Sequence, residues 1–170
     1  SLTKVSDETL TLGGTVSYTG LTNIQGGILA LTAAGATSLG NITMAANTRM
    51  TTAGALNLAA SSTLTLDISS SIGVGGAFGA GTFNLTLNGL EGITEAREYT
   101  LISAASGLDA ASAIFNWAGY TGDETLIYTL EQTGTTLKLV VTSAGDVWIW
   151  QGTEGMTWRD TNTGAQWGID

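Results

Sequence analysis

The side chains best suited to bind a ligand are four tryptophans near the end of the 170-residue chain, namely Trp148, Trp150, Trp158 and Trp167. Exposed aromatic rings stack on sugar rings and on nucleobases. Nucleobase binding also needs a basic groove for the phosphates, and the net charge of this chain is -9. A glycan is therefore the ligand that an exposed tryptophan surface would bind.

The same tryptophans also have an architectural interpretation. Trp148 and Trp150 alternate within the segment VWIW, and this period of two is typical of a strand with both rings on one face. Such a segment supplies bulk that Gly, Ala and Thr cannot supply, and it would close one structural unit or open the next. We favour this interpretation over glycan binding for residues 146–170.

A second group that could carry chemistry consists of Glu91, Glu95, Arg97 and Glu98 between two predicted strands. Glycosidases use two carboxylates at a suitable separation, and a β-helix lyase would use acids with an arginine base, for which Arg49 is the other candidate. The chain has no histidine, which is the usual general base and the commonest zinc ligand. Since no other segment completes a cleft, we interpret the group as a solvated turn. We expect a non-enzymatic protein with no catalytic residues and no cofactor.

The segment DTNTG, Asp160–Gly164, places Asp160 and Asn162 at the one-three spacing of a calcium loop. Gly164 occupies what should be a ligand position. A turn is the better interpretation, and no metal site is expected.

The pairs Thr9/Thr11 and Thr63/Thr65 are similar to the ranks of threonine that order water on ice-binding solenoids. Such a site needs a pair on every coil, and Asn41/Thr43 interrupts the rank. Outward threonine is ordinary strand composition, so we do not favour ice binding.

Short β-strands that would position these residues are predicted by apolar residues that alternate with a period of two. It recurs at Leu10 and Leu12, Leu29 and Leu31, Ile42 and Met44, Leu56 and Leu58, and Leu64, Leu66 and Ile68. Leu12 and Leu31 are nineteen residues apart, about one coil of a β-solenoid. The pattern predicts an all-β fold with Leu12, Leu31, Leu58 and Leu66 facing inward.

The segment Glu8–Leu31, ETLTLGGTVSYTGLTNIQGGILAL, resembles the autotransporter-associated β-strand repeat of large bacterial surface proteins. The shared features are the Leu10/Leu12 strand, Gly14, the corner Tyr18-Thr19-Gly20, Thr22 and Ile24, and Gly26-Gly27 leading into Leu29 and Leu31. Leu21 stands where that family usually has a second glycine. The resemblance implies a right-handed parallel β-helix in a passenger region, on the cell surface or released from it.

After Ile68 the pattern changes. Ser69–Gly81 is rich in glycine and is predicted to be a flexible connection. We expect an antiparallel cap built from longer alternating strands at Phe83–Leu90, Glu98–Ala104, Leu126–Gln132 and Thr136–Thr142. A short helix is also predicted within this cap, over Leu108–Trp117, with Asp109 as its N-cap. The predicted fold is a short right-handed parallel β-helix in residues 1–88, an antiparallel β cap in residues 89–145 and the tryptophan-rich tail.

Composition narrows the function classes. Only 11% of residues are charged, and 24 glycines occur without proline, which suits an exported chain of short strands and tight turns. The net charge argues against nucleic acid, and no apolar run is long enough for membrane insertion. The leading hypothesis is a structural stalk segment of a bacterial surface or autotransporter-type protein. We expect it to be extracellular or associated with the outer membrane. Its expected partners are the flanking repeats of its own longer chain. A carbohydrate-binding adhesin module is the alternative, followed by a β-helix polysaccharide lyase or hydrolase.

Overall fold

The computed structural model describes residues 1–122 and 125–144, together with the backbone of three short strands beyond them. The strands are β1 Leu2–Lys4, β2 Thr9–Leu12, β3 Thr22–Ile24, β4 Ile28–Leu31, β5 Thr37–Leu39, β6 Ile42–Met44, β7 Arg49–Thr52, β8 Leu56–Leu58, β9 Thr63–Asp67, β10 Ser71–Ala77, β11 Gly81–Asn88, β12 Arg97–Ser106, β13 Ala113–Asn116, β14 Leu126–Gln132, β15 Thr136–Ser143, β16 Trp148–Trp150, β17 Thr157–Asp160 and β18 Gln166–Gly168. Apart from one 3-10 turn at Leu90–Gly92, the regular structure of the described residues is β. The all-β prediction is confirmed.

The strands form a β-solenoid of about four turns, as predicted. The first sheet has the order β1-β3-β6-β9-β11-β13, and the second has the order β14-β15-β12-β10-β7-β4-β2. A third side is formed by β5 and β8, with bridges from Ser17 to Ser38 and from Leu56 to Phe78. Successive coils pair in parallel, and Leu12 lies opposite Leu31, which is the nineteen-residue step seen in the sequence.

The core consists of apolar columns that run along the solenoid. One column is Ile24, Met44, Leu66 and Leu87 on the first sheet, and another is Leu29, Met50, Ile72 and Ile102 on the second sheet, all of them buried. Burial of apolar surface stabilises by about 25 cal/mol per Å². These columns are therefore the main source of stability.

The predicted inward ladder is correct for two of its four residues. Leu31 and Leu66 are buried, whereas Leu12 and Leu58 are only half-buried. Leu12 lies on β2, the outermost strand of the second sheet, and Leu58 lies on β8, the last strand on the third side. Each lacks a covering strand, and Leu56 takes the buried position on β8 instead.

Buried polar groups satisfy the backbone where the chain turns from the first sheet to the second. Thr48 Oγ1 donates to the Ala45 carbonyl at 2.7 Å, and Ser70 Oγ donates to the Asp67 carbonyl at 2.7 Å. At the first corner Lys4 Nζ has the same role, because it donates to the carbonyls of Ser6 and Gly26, the latter at 2.6 Å. These side chains are buried, and the hydrogen bonds satisfy them, since a buried polar group without a partner costs about 1–3 kcal/mol.

The glycine-rich segment Ser69–Gly81 is not a flexible connection, so that prediction is wrong. It contains β10, which pairs in parallel with β7 and β12. A Cβ on Gly75 would lie 2.5 Å from the Ala53 carbonyl oxygen, and one on Gly76 would lie 2.7 Å from the Ala55 nitrogen. Glycine is needed here because the backbone of the neighbouring coil passes too close for a side chain.

The antiparallel part begins later along the chain than the sequence predicted. β11 pairs in parallel with β9 and β13, and β12 pairs in parallel with β10. The antiparallel pairs are β12 with β15 and β15 with β14. The predicted strands at Leu126–Gln132 and Thr136–Thr142 do form a hairpin, and the Thr136 amide donates to Thr133 Oγ1 at 3.0 Å in its loop.

The helix predicted over Leu108–Trp117 is absent. Asp109 does cap a turn, because its Oδ1 accepts hydrogen bonds from the amides of Ala111 and Ser112. The chain then leaves the turn as β13, which extends the first sheet beside β11. Pairing with an existing sheet edge outweighs the weak helix propensity of this segment.

Aromatic rings close the core at this end. Phe83 lies 5.6 Å from both Phe78 and Phe115, measured between ring centroids. Gln132 Nε2 on β14 donates to the carbonyls of Leu108 and Ala113, at 3.1 and 2.8 Å. The hairpin is thereby tied to the last strand of the first sheet.

We expect Leu31→Asp to lower the free energy of unfolding by at least about 3 kcal/mol, because it places an unpaired carboxylate in a dry core. Ala30→Asp is the matched control, since Ala30 is the adjacent residue on the outward face of β4, and it should cost about 1 kcal/mol. Urea denaturation measures both values. A larger cost for Ala30→Asp than for Leu31→Asp would show that β4 has the opposite register.

Candidate functional site

The acidic group lies on the surface before and at the start of β12. Glu91, Glu95, Arg97 and Glu98 are all exposed. Glu98 Oε2 accepts a hydrogen bond from Lys138 Nζ at 2.8 Å on the neighbouring strand β15, and this contact raises the pKa of Lys138. The Arg97 guanidinium lies 5.5 Å from the centroid of the Tyr99 ring. Glu98 and Arg97 are thus used in surface contacts between side chains.

Arg49, the other candidate lyase base, lies on the outward face of β7. Its register neighbours are Ile28 and Ser71, and its Nη2 would be 3.7 Å from a Cβ on Gly73. No group of three or more acidic, histidine or cysteine residues in the described part of the chain could hold a metal ion. The structure therefore does not bring Arg49 together with an acid cluster there.

The two threonine pairs lie on different faces. Thr9 and Thr11 belong to β2 of the second sheet, whereas Thr63 and Thr65 belong to β9 of the first sheet. The first sheet does align Thr3, Asn23, Thr43, Thr65 and Thr86 in one column. Its neighbouring column is used to join coils, because Asn41 Oδ1 accepts from the Thr63 amide at 2.9 Å and Asn84 Nδ2 donates to the Ser61 carbonyl at 3.4 Å. A two-dimensional rank of paired threonines is therefore not formed by these residues.

Two shallow depressions mark the described surface. The first, of about 240 Å³, lies on the third side between Tyr18, Leu39 and Leu58, and the Tyr18 hydroxyl shares a 2.9 Å hydrogen bond with Thr22 Oγ1. The second, of about 300 Å³, lies at the N-terminal end of the stack beside Val5 and Leu10. Sites that enclose a small ligand have volumes of about 300–1,000 Å³. Sequence reasoning missed the first depression because residues some twenty positions apart form it, whereas the second is lined by residues close together in sequence, between Thr3 and Leu10.

The tryptophan tail is described at the level of backbone pairing. β16, β17 and β18 form an antiparallel three-stranded sheet in which Trp150 lies opposite Trp158 and Trp158 opposite Trp167. Trp148 lies opposite Asp160 instead. Three of the four predicted ligand-binding residues therefore occupy adjacent register positions. Residues 161–165, which hold most of the predicted calcium-loop segment, lie outside the described residues.

Comparisons with protein-family models, curated proteins and solved structures found no match to this chain. Among the residues that the structure describes, no helix has the length and apolar character needed to span a bilayer. The resemblance of Glu8–Leu31 to autotransporter-associated repeats stays a prediction.

The lowered pKa of Asp109 predicts how the stability of its turn depends on pH. Hydrogen bonds from Ser112 hold the pKa of Asp109 below its ordinary value of 3.8. A lowered pKa in the folded state stabilises at pH values above the unfolded pKa, and this contribution is lost as pH falls through the folded pKa. We expect Asp109→Ala to lower the melting temperature at pH 7, and the difference from wild type to shrink below pH 3.8.

Asp109→Asn is the matched control, because it keeps the Oδ1 acceptor and removes the charge. We expect it to melt between the wild type and Asp109→Ala at pH 7, measured by differential scanning calorimetry. A difference between wild type and Asp109→Ala that does not change with pH would contradict the assignment of the shift to Ser112.

Proposed function

We propose that this chain is a non-enzymatic stalk segment in the passenger region of a large bacterial surface or autotransporter-type protein. The observation that carries the proposal is the parallel stacking of successive coils around continuous apolar columns, such as Ile24, Met44, Leu66 and Leu87. Each added coil lengthens the stack and extends the same core. The resemblance of Glu8–Leu31 to autotransporter-associated repeats supports the same role.

The use of polar groups in the core also supports a structural role. The buried Lys4, Thr48 and Ser70 each donate to backbone carbonyls at the corners. A buried side chain that donates to the carbonyls of its own turn stabilises that turn and is shielded from a substrate. The use of these buried groups to hold the corners is what a mechanical role requires, and it supports the proposal.

Coil-by-coil stacking suits a chain that folds outside the cell. In the regular coils the register partners lie about twenty residues apart, for example Thr22 and Ile42. A coil can therefore fold on its neighbour without waiting for distant segments. The work of the segment would be to hold more distal parts away from the outer membrane, with flanking repeats of its own chain as partners.

A surface-display experiment tests this proposal. The chain is placed between an N-terminal epitope tag and an outer-membrane translocator barrel, and surface tag is measured by flow cytometry with and without external protease. We expect Leu66→Asp, which disrupts a fully buried position, to lose most of the surface signal. Thr65→Asp, the outward neighbour on β9, should keep it. Equal display of both variants would show that display does not depend on the folded solenoid.

A carbohydrate-binding adhesin module is the second candidate function. The register of Trp150, Trp158 and Trp167 across adjacent strands favours it, because a row of aromatic residues is the usual platform for sugar stacking. The polysaccharide lyase or hydrolase gains no comparable support from the described residues.

Glycan-array binding followed by titration calorimetry tests the second candidate. If it holds, Trp158→Ala at the centre of the row should abolish binding of a glycan found on the array. Trp148→Ala, in the same sheet but opposite Asp160, should retain it. Absence of any bound glycan, or equal loss in both variants, would reject the adhesin function.

A further inference from the structure

The core opens at the C-terminal end of the solenoid between β13, the last strand of the first sheet, and β14, the last strand of the second sheet. Burial alternates along both strands. On β14, Tyr128 and Leu130 are half-buried, whereas Ile127 and Thr129 are exposed. The half-buried residues of both strands pack against the core, so the inward faces of β13 and β14 line this opening.

The two ends of the opening differ in chemistry. At one end Gln132, the last residue of β14, donates to the carbonyl of Ala113, the first residue of β13. At the other end lie three half-buried aromatic residues, Trp117, Tyr120 and Tyr128, which we call the aromatic rim. Tyr120 and Tyr128 pack edge to face with ring centroids 4.9 Å apart. Hydrogen bonds thus close one end, and aromatic rings line the other.

Accessibility increases from the core toward the aromatic rim. Phe83 and Phe78 are 0% and 2% exposed. Phe115, which packs on both of them, is half-buried, as are the residues of the rim. Accessible apolar surface that is continuous with a filled core is typical of a place where another element docks.

We propose that the aromatic rim is the docking surface for the three-stranded sheet of the tail, β16–β18. The tail holds four of the five tryptophans of the chain, and Trp117 on the rim is the fifth. Within the tail sheet Trp150, Trp158 and Trp167 occupy one row of directly opposed register positions. Packing aromatic surface against aromatic surface removes apolar area of both partners from water.

The path of the chain supports this occupant, because the chain leaves the hairpin at the aromatic end of the opening. Ser143, the last residue of β15, pairs with Leu126, the first residue of β14. The Ala144 amide then donates to the Thr125 carbonyl at 2.8 Å. Leu126 lies two residues before Tyr128 of the rim. Only β14 separates β15 from the opening, which is one strand spacing of about 4.8 Å.

The short connection keeps the tail at this end of the solenoid. Three residues separate Ala144 from Trp148, the first residue of β16. An extended chain spans at most about 3.6 Å per residue, so Trp148 lies within about 14 Å of Ala144. This reach is enough to cross β14. It does not cover the roughly 24 Å of five strand spacings from β15 to β2 at the N-terminal end.

Two other arrangements are less favourable. The outward face of β14 offers Ile127, which is 50% exposed, but Thr129 and Glu131 beside it are polar. A second copy of the chain would have to bind the rim at its own solution concentration. The tail is tethered by three residues, and a short tether gives an effective concentration on the order of millimolar.

Thiol accessibility in the full chain tests the proposal. The sequence has no cysteine, so one introduced thiol reports on one position. Tyr120→Cys places it on the rim, and the matched control Ile127→Cys places it on the outward face of β14. Modification by a water-soluble maleimide is timed with and without Trp158→Asp, a substitution in the central strand of the tail sheet.

We expect Trp158→Asp to speed modification at Tyr120→Cys by about tenfold or more, which corresponds to weakening the docking by about 1.4 kcal/mol. The rate at Ile127→Cys should not change, because the hairpin itself stays folded. Acceleration at both thiols alike, or at neither, would overturn the proposal. A rim rate that rises when the chain without Trp158→Asp is diluted would also overturn it, with a second copy as the occupant.

Melting temperatures provide a second measurement that does not depend on the introduced thiol. We expect Tyr120→Ala to lower the melting temperature clearly in the wild type and much less in a Trp158→Ala background, because the contact is already lost there. Ile127→Ala, the matched control, should have the same effect in both backgrounds. Additive effects of Tyr120→Ala and Trp158→Ala would contradict docking at the rim.

This inference goes beyond the stalk function and does not rest on it. Loss of surface display would reject the stalk function and leave the docking of the tail unaffected. Docking would make the row of Trp150, Trp158 and Trp167 unavailable to a glycan, so faster modification at the rim in Trp158→Asp would also count against the adhesin function.

Discussion

The structure depends on one constraint, which is that every coil must present its apolar residues in phase with the coils on either side. In a strand with a period of two, a slip of one residue moves every inward side chain to the outward face. The columns through Leu29, Met50 and Ile72 stay buried because β4, β7 and β10 are aligned without a slip between them. The alignment of strand registers between coils therefore matters more for the stability of this fold than the identity of any outward residue.

The turns between the two sheets must keep the strands of successive coils in register. A corner must bring the next strand into register and must also supply hydrogen-bond donors to the carbonyls of the turn. Thr48 and Ser70 do this with hydroxyl groups and Lys4 with an ammonium group, so chemically different side chains have one structural role. Gly75 and Gly76 meet the related requirement that neighbouring backbones approach closely. The coils can therefore vary in sequence while their geometry repeats.

The same physics explains how much of the fold the sequence predicted. Alternation and the step from Leu12 to Leu31 depend on local pattern and regular spacing, so they correctly predicted the solenoid. The segments around Gly75 and Asp109 were misjudged because their structure depends on which strand lies beside them, and that partner is remote in sequence. The depression on the third side of the solenoid was not predicted, for a related reason. The depression beside Tyr18 arises where side chains from three coils meet, and no local motif indicates that they meet.

The distribution of aromatic residues follows from the difference between the interior and the ends of a solenoid. An interior coil is covered on both sides by coils of its own size, so Leu, Ile and Met fill the columns. Where the regular stack gives way to the hairpin, no identical coil covers the last one, and larger groups are needed to fill the remaining volume. Phe83 and Phe115 pack together at that junction with centroids 5.6 Å apart. Aromatic residues are thus rare in the repeats because repetition already supplies the covering surface, and they become frequent where repetition stops.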